Sequence, residues 1–493
     1  MPKRKRSTDV GVSVDGGGGS RRGAVGSRQG SKKLNAFLAW LKKEGARWPK
    51  VRFKHSEEWG WHVLVREGET ITANEEIFSL PKELCINSVS IGQDRKFGTM
   101  AATVKTMVLN NPSVALDAAT LDRASVCVYI AYQRLQPKSQ WEPYFDLVPG
   151  LEEFEENAGV WLANSSKLRL LKDTHVGKRL APAFRRKQEL VFEQFALPLL
   201  AAVGVDGCPG RVSAAAQMLV RGTFRWATAL YFSRAILVPY TCAENSSSGF
   251  QKSSWSTKSY ETITPLIDLL NHRPGTLSAL KQTPPQRAGT GSILYSNGRT
   301  LKSGEQIFLN YGPRSNADLL AHFGFTLRDN VCDTAVVDVG VPSEEDGAAS
   351  FKLFRGGGIP EAMLDAVRGR LAPRPAPAAV PASTVYRMPP PLAVGSAEWR
   401  ASLSAPLDGE GSTIEVDFDR IGSTLSLTNE VAALGWLKHA LNAEILQTRA
   451  VVLEAADGPG PFCRNVQNYT EGIIAVLNES LAYVETLMSY LLL

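Results

Sequence analysis

Two short stretches constrain this chain more than any other feature. Ile267-Asp268-Leu269-Leu270-Asn271-His272 ends an apolar run in an Asn-His pair. Some forty residues on, Gly304-Glu305-Gln306-Ile307-Phe308-Leu309-Asn310-Tyr311-Gly312 reads as a turn, an alternating strand and a Tyr-Gly exit. Each alone is ordinary core and turn chemistry. Together, in this order and at this distance, late in a long chain, they say more than either does alone.

The 493 residues are 44% hydrophobic and 21% charged, the balance of a globular protein with room for several domains. No apolar run approaches the ~18 residues of a membrane span, and the N-terminus lacks the apolar core of a secretory signal. The net charge of +6 is concentrated. Residues 1–33 carry nine Lys/Arg against Asp9 and Asp15, which leaves the body nearly neutral. A nucleic-acid platform is therefore not expected outside the tail. Lys3-Arg4-Lys5-Arg6 is compatible with nuclear import and equally with a solvated basic tail. Nucleus or cytoplasm is the expected compartment, with a plastid also compatible. Six scattered cysteines show no zinc-ligand spacing and suit reduced, mostly buried thiols.

Residues 1–31, with Gly16 to Gly19, are expected to form a disordered basic tail. Structure is expected from Leu34, where large apolar residues take helical spacing. Short strands follow at His62–Val65 and Glu76–Leu80. Helices dominate from Phe97 to about Phe232, clearest at 124–135, 187–203 and 212–232. Strand character returns at Ser292–Tyr295 and Gln306–Asn310, with Asn297-Gly298 between them read as a hairpin turn. Thr334–Val339 reads as an edge strand, Ile359–Leu371 as a helix with Pro360 in its first turn, 372–394 as a Pro/Ala linker or insertion, and Asn429–Leu453 and Tyr469–Leu493 as helices. A β core interrupted in sequence but closed in space would unite the two β-rich segments.

At these residues the chain resembles the Rubisco large-subunit lysine methyltransferase class of SET-domain proteins. Four stretches in family order carry the likeness: Trp141-Glu142-Pro143-Tyr144; Phe224-Arg225-Trp226-Ala227 leading to Ser233-Arg234; Asp268-x-x-Asn271-His272; and Tyr311-Gly312 with Ser315-Asn316 and Phe323-Gly324-Phe325. The resemblance implies an α+β fold: a SET-domain β core with a pseudoknot, a helical insertion within the SET domain, and an α-helical C-terminal domain. The expected domains are a SET domain over 32–331, with its insertion at about 92–225, and a helical substrate-binding-like domain over 332–493.

It further implies methyl transfer from S-adenosylmethionine to a side-chain nitrogen of a protein substrate, with no metal. Tyr311 would be the catalytic residue, binding the amine and polarising the methyl group through weak C–H···O contacts. Glu57, Glu58, Trp59, Arg234, Asn271, His272, Tyr311, Phe323, Gly324 and Phe325 would hold the cofactor. Ser233, Arg234, Ile236 and Asp268 would line the substrate side. Two positions depart from the family pattern. Glu58 stands where the first cofactor loop usually has Gly, and Lys281-Gln282-Thr283-Pro284 contains no Tyr where the plant lysine enzymes carry one.

A lysine acceptor is favoured, because the family branch that methylates an actin histidine carries Asn and Trp where this chain has Ala235 and Ile267. The alternatives are a histidine acceptor on the same fold and a SET-like binding module that has lost catalysis.

Overall fold

The computed structural model describes residues 21–56, 59–157, 159–162, 165–205, 214–243, 255–283, 291–339, 349–371, 427–456, 458 and 460–491. The chain divides into two compact units, one of residues 1–154 and 186–312, the other of residues 155–185 and 313–493. The second unit therefore begins at 313 rather than at the expected 332, and it takes in a piece of the helical insertion.

In the first unit a helix, Arg21–Lys43, sets Leu34, Phe37 and Leu41 into the core. It starts thirteen residues before Leu34, where structure was expected: residues 21–31, read as disordered tail, are helical. A helix anchored by one buried stripe extends cheaply beyond it, because propagation costs far less than nucleation. Val51–Ser56 and Gly60–Val65 then form an antiparallel pair. Glu76–Pro81 pairs with Ser292–Asn297, which also pairs with Ser278–Gln282.

This sheet corrects the hairpin expected at Asn297-Gly298. The strand before that turn pairs with the preceding strand, Ser278–Gln282, and with the distant Glu76–Pro81, not with the chain after the turn. The chain after it bridges through Leu301 to Ile71 and reaches Phe308–Leu309, which pairs with Asn271–His272. Asn297 contributes to the turn by accepting Arg299 N–H on Oδ1 and Asn74 N–H on its carbonyl. Both β-rich segments thus share one unit. Ile86 bridges Ile263, and Asn87 Nδ2 donates to Thr262 Oγ1 at 3.1 Å in the core. A long hairpin absent from the sequence reading, Ile236–Ala243 with Trp255–Thr262, completes the β structure described here.

The helices between carry two of the motif tryptophans as fasteners. Trp141 Nε1 donates to Leu84 O, and Trp226 Nε1 donates to Pro149 O at 2.9 Å. Arg95–Leu109 and Ala118–Leu135 open on Asp94 and Asp117, whose side chains cap the first turns through Phe97 N–H and Thr120 N–H. The last long helix of this unit, Ala214–Arg234, ends on the arginine that the site uses.

The described residues of the second unit include the strand pair Thr334–Val339 and Ala349–Phe354 and the helices Glu361–Leu371, Leu427–Ala456 and Pro461–Leu491. The expected linker at 372–394 lies outside the described residues. Ser315-Asn316, part of the Tyr-Gly motif, is a structural fastener here. Asn316 donates its N–H to Asp333 Oδ1 at 2.7 Å and its Nδ2 to Asp333 Oδ2 at 2.9 Å, and both residues are buried. Gly472, in the middle of the last helix, leaves room for that carboxylate: a Cβ there would fall 2.0 Å from Asp333 Oδ2.

Burial raises the Asp333 carboxyl to about 6, against the opposing pull of Asn316 and Arg355. The folded state thus holds a proton that the unfolded chain has already released above pH ~4. Stability from this group is full below that pH and is lost as pH rises through about 6, a change of ~2–3 kcal/mol. Urea unfolding at pH 4.5 and pH 7 should show this slope in the native chain and a flatter one in Asp333→Asn.

Candidate functional site

The proposed site is built in the first unit where two chain segments lie side by side. Asn271–His272 and Phe308–Leu309 form a short parallel pair, extended by Arg273 N–H to Leu309 O at 3.1 Å. The segment before Asn271 is a 3₁₀ turn, Ile267–Leu269, set up by a tight turn in which Ile267 N–H reaches Thr264 O at 3.0 Å. Pro265 is second in that turn and Leu266 third. Leu266 has φ of 96°, a region that normally calls for glycine, yet its side chain is wholly buried. A bulky residue held at positive φ stores strain, and such positions cluster at functional sites.

Tyr311 follows the second strand and is fastened at both ends. Its N–H donates to His272 Nδ1 at 3.1 Å, and its phenol donates to Leu270 O at 2.8 Å. The ring stacks on the His272 imidazole, with centroids 4.9 Å apart and planes at 24°. Accepting the Tyr311 N–H at 3.1 Å on Nδ1 places the imidazole hydrogen on Nε2; the longer 3.4 Å approach of the same Nδ1 to Leu309 O is then no hydrogen bond. Burial raises the Tyr311 phenol well above its usual value; Arg234 pulls it down and Asp268 adds to the rise. Tyr311 is thus a neutral phenol at physiological pH and not a base. With its proton directed to a carbonyl, its oxygen meets other groups as an acceptor.

Behind this pair sits a buried charge cluster. The Asp268 side chain has no exposed surface. Arg234 Nη1 donates to Asp268 O at 3.1 Å and lies 3.5 Å from Oδ2, and the Tyr144 phenol donates to that same Oδ2. Burial raises the Asp268 carboxyl, while Arg234 and Tyr144 oppose the rise. For Arg234, burial lowers the guanidinium, but the charge and hydrogen bond of Asp268 together with Tyr144 and Tyr311 outweigh it, and the net shift is upward.

On the other side, Asn271 Nδ2 donates to Trp59 O at 3.2 Å, and Trp59 N–H donates to Ser56 Oγ. The Trp59 ring, 39% exposed, meets Phe308 edge-on at 5.7 Å. Arg273 covers Phe308 at 4.2 Å. Gly60 and Gly312, at φ of 58° and 91°, both border open space: a Cβ on either would meet nothing within 4 Å. Gly312 N–H is held by Asn310 Oδ1 at 3.0 Å.

The expected residues therefore separate. Trp59, Arg234, Asp268, Asn271, His272 and Tyr311 come together. Ser233 sits beside Arg234 but spends its hydroxyl on Ala229 O at 2.7 Å, within its own helix. Ile236 opens the strand opposite Thr262 and is half-buried. Glu57 and Glu58 lie outside the described residues. Phe323, Gly324 and Phe325 belong to the second unit, where Gly324 at φ of 78° ends the Leu319–Phe323 turn. Ile267 is wholly buried. Tyr144 and the Leu270 carbonyl were not assigned from sequence. Tyr144 stood in a quoted motif, but nothing in one sequence pairs it with Asp268, 124 positions away.

The solved structure of the SET domain of LSMT bound to lysine and AdoHcy aligns with 94% of this chain and 92% of its own, at TM-score 0.62 and 16% identity. The chain has the SET-domain fold of Rubisco LSMT. Rubisco LSMT bound to AdoMet aligns over 93% of both chains at TM-score 0.58 and 18% identity. The SET core and the helical C-terminal region fall within these alignments.

Among curated proteins, this SET-domain chain is 24% identical over 325 residues to the actin-histidine N-methyltransferase of Drosophila melanogaster, covering 63% of this chain and 52% of that protein. It is 23% identical over 363 residues to ribosomal lysine N-methyltransferase 2 of Saccharomyces cerevisiae, covering 60% and 71%. The chain thus spans about half the length of the actin-histidine relative. A search of protein-family models found no match.

Proposed function

We propose that this SET-domain chain is an S-adenosylmethionine-dependent protein N-methyltransferase whose acceptor is a lysine amine. The observation that carries the reading is Tyr311, a neutral phenol stacked on His272 with its proton fixed on Leu270 O. That is an oriented oxygen acceptor at the junction of two strand ends, and no ordinary core packing needs it there.

The residues around it fit the cofactor. Open space lies beside the backbone at Gly60 and Gly312. Arg234 supplies a cation suited to a carboxylate, Trp59 an exposed ring face, and Asn271 ties the Trp59 loop to the strand end. When bound, S-adenosylmethionine supplies a methyl group on a sulfonium sulfur. The chain's own residues do the rest. Trp59, Asn271 and His272 orient the donor. Tyr311 accepts a hydrogen bond from the acceptor nitrogen and holds it in line, which lowers the barrier through orientation. A lysine must first lose its proton to water, and the surrounding burial favours its neutral form.

Both lysine and histidine methyltransferases stand among the similar proteins. Lysine is supported by Ala235 and Ile267, which stand where the actin-histidine branch has Asn and Trp. The acceptor type has a kinetic signature. A lysine acceptor titrates near 10.4, so kcat/KM should rise about tenfold per pH unit from 7 to 9. A histidine acceptor, with an ordinary value near 6.5, should give a flat profile over that range. Mapping methylated sites in cells with and without the gene supplies the substrate; changes confined to histidine would overturn the lysine assignment. Calorimetry with S-adenosylmethionine tests the enzyme itself: a well-folded chain with no detectable binding would be a binding module instead. The basic run Lys3–Arg6 supports a nuclear or cytoplasmic place of action.

A further inference from the structure

We infer that Tyr144, from the helical insertion, is a positioning residue of this site, acting through Asp268 on Arg234 and on the turn that holds Tyr311. The inference rests on the methyltransferase reading. Its geometry is a chain of direct contacts. The phenol of Tyr144 donates to Asp268 Oδ2. Arg234 Nη1 grips the same residue by its main-chain oxygen and lies 3.5 Å from the same Oδ2. Two residues further along, Leu270 O receives the Tyr311 proton. The strained turn at Leu266 feeds directly into this clamp. Without a donor on Asp268, one wall of it would be missing.

The Tyr144 hydroxyl does more than packing requires. The ring is wholly buried, between Phe37 at 6.0 Å and Phe145 at 5.9 Å. A phenylalanine would fill that space equally well. The hydroxyl instead spends its hydrogen bond on a buried carboxylate, and bonds to charged groups are the strong ones. Among the described residues, Asp268 is faced by the titratable groups Tyr144 from the Glu142–Leu147 helix, Arg234 from the end of the Ala214–Arg234 helix, Tyr311 beyond the second strand, and Cys85. Of these, Tyr144 and Arg234 hold the carboxylate in its charged form against burial. The Tyr144 phenol itself is driven far above its usual value, chiefly by burial and then by the Asp268 charge, so it stays a donor.

Deleting the hydroxyl therefore makes Asp268 easier to protonate, which weakens its pairing with Arg234 and removes negative charge near Tyr311. A cationic donor should feel that loss more than its neutral product. The test is calorimetry of the full chain and of Tyr144→Phe with S-adenosylmethionine and with S-adenosylhomocysteine from pH 5.5 to 8.5. In the native chain the preference for the cation should fade as the pH drops. In Tyr144→Phe it should fall by about tenfold at neutral pH and fade at a higher pH than in the native chain. Identical preference and pH curves in the two proteins would overturn the inference and leave the enzyme reading intact. A native chain that binds neither compound would overturn both.

If Tyr144→Phe does not fold, Asp268→Asn takes its place. It should abolish the pH dependence of the preference, and retention of the native curve would refute the role of the cluster.

Discussion

Tyr311→Phe should lower turnover by ~100-fold or more while leaving S-adenosylmethionine affinity within a few-fold of the native value. Only the hydroxyl group is removed. The ring should keep its stack on His272, 4.9 Å between centroids, and its main-chain bond to Nδ1. What is lost is the oxygen whose orientation is fixed by Leu270 O. Removing one preorganised hydrogen-bonding group from a transition state typically costs 10²–10³ in kcat. Because the phenol is held neutral by burial, its contribution is that of an oriented acceptor and not of a base. The pH profile of residual activity should therefore keep its native shape. Single-turnover methyl transfer, measured beside cofactor titration, checks both halves. A variant that binds cofactor and turns over at the native rate would remove Tyr311 from the chemistry.

Glu430→Ala should destabilise the second unit by about 3–5 kcal/mol. Glu430 meets Arg368 with both oxygens, at 2.6 Å from Nε and 2.7 Å from Nη2. Their side chains are 7% and 3% exposed, and Asp365 adds a third contact at 2.7 Å. Truncating the glutamate leaves a guanidinium under the surface with, among the described residues, the partly exposed Asp365 as its remaining counter-ion. The pair itself need not be a large net stabiliser, because desolvation consumes much of its attraction. Replacing both partners by apolar residues, Arg368→Met with Glu430→Leu, should therefore recover most of the loss. Urea unfolding of the single and double variants checks this. A single variant within 1 kcal/mol of the native chain would mean that water reaches Arg368.

The contrast between motif residues and their neighbours explains what one sequence discloses. Tyr311, Asn271 and His272 stand out because their order and surrounding motifs match a family pattern; the strand ends with polar exits alone read as core and turn chemistry. Amphipathic periodicity is a local signal. The long helices were legible from it, and most of their bounds lie within a few residues of the expectation. Pairings were not legible. Ser292–Asn297, which buries alternate residues, pairs with Glu76–Pro81, which buries Ile77 to Leu80 in succession, and such apolar patterns are shared by many segments. The Ile236–Ala243 hairpin escaped notice because Pro239 sits within its first strand and Lys258 and Glu261 dilute the second. The Asp268–Tyr144 contact lies outside any local rule. It depends on how a helix 124 positions earlier settles against a turn.

The pairing of Glu76–Pro81 with Ser292–Asn297 has a consequence for how the chain reaches its native state. These strands meet only after some 200 residues have been drawn in, and closing so large a loop of unstructured chain costs entropy before any ladder bond repays it. The intervening helices, once collapsed, shorten that search. They act as a scaffold that delivers the two halves of the sheet to one another. Refolding should accordingly be slow and show at least two phases, with far-ultraviolet helical signal returning before cofactor binding does. A lesion deep in those helices would then abolish activity without touching a reacting atom, by leaving the last strand nothing to close upon.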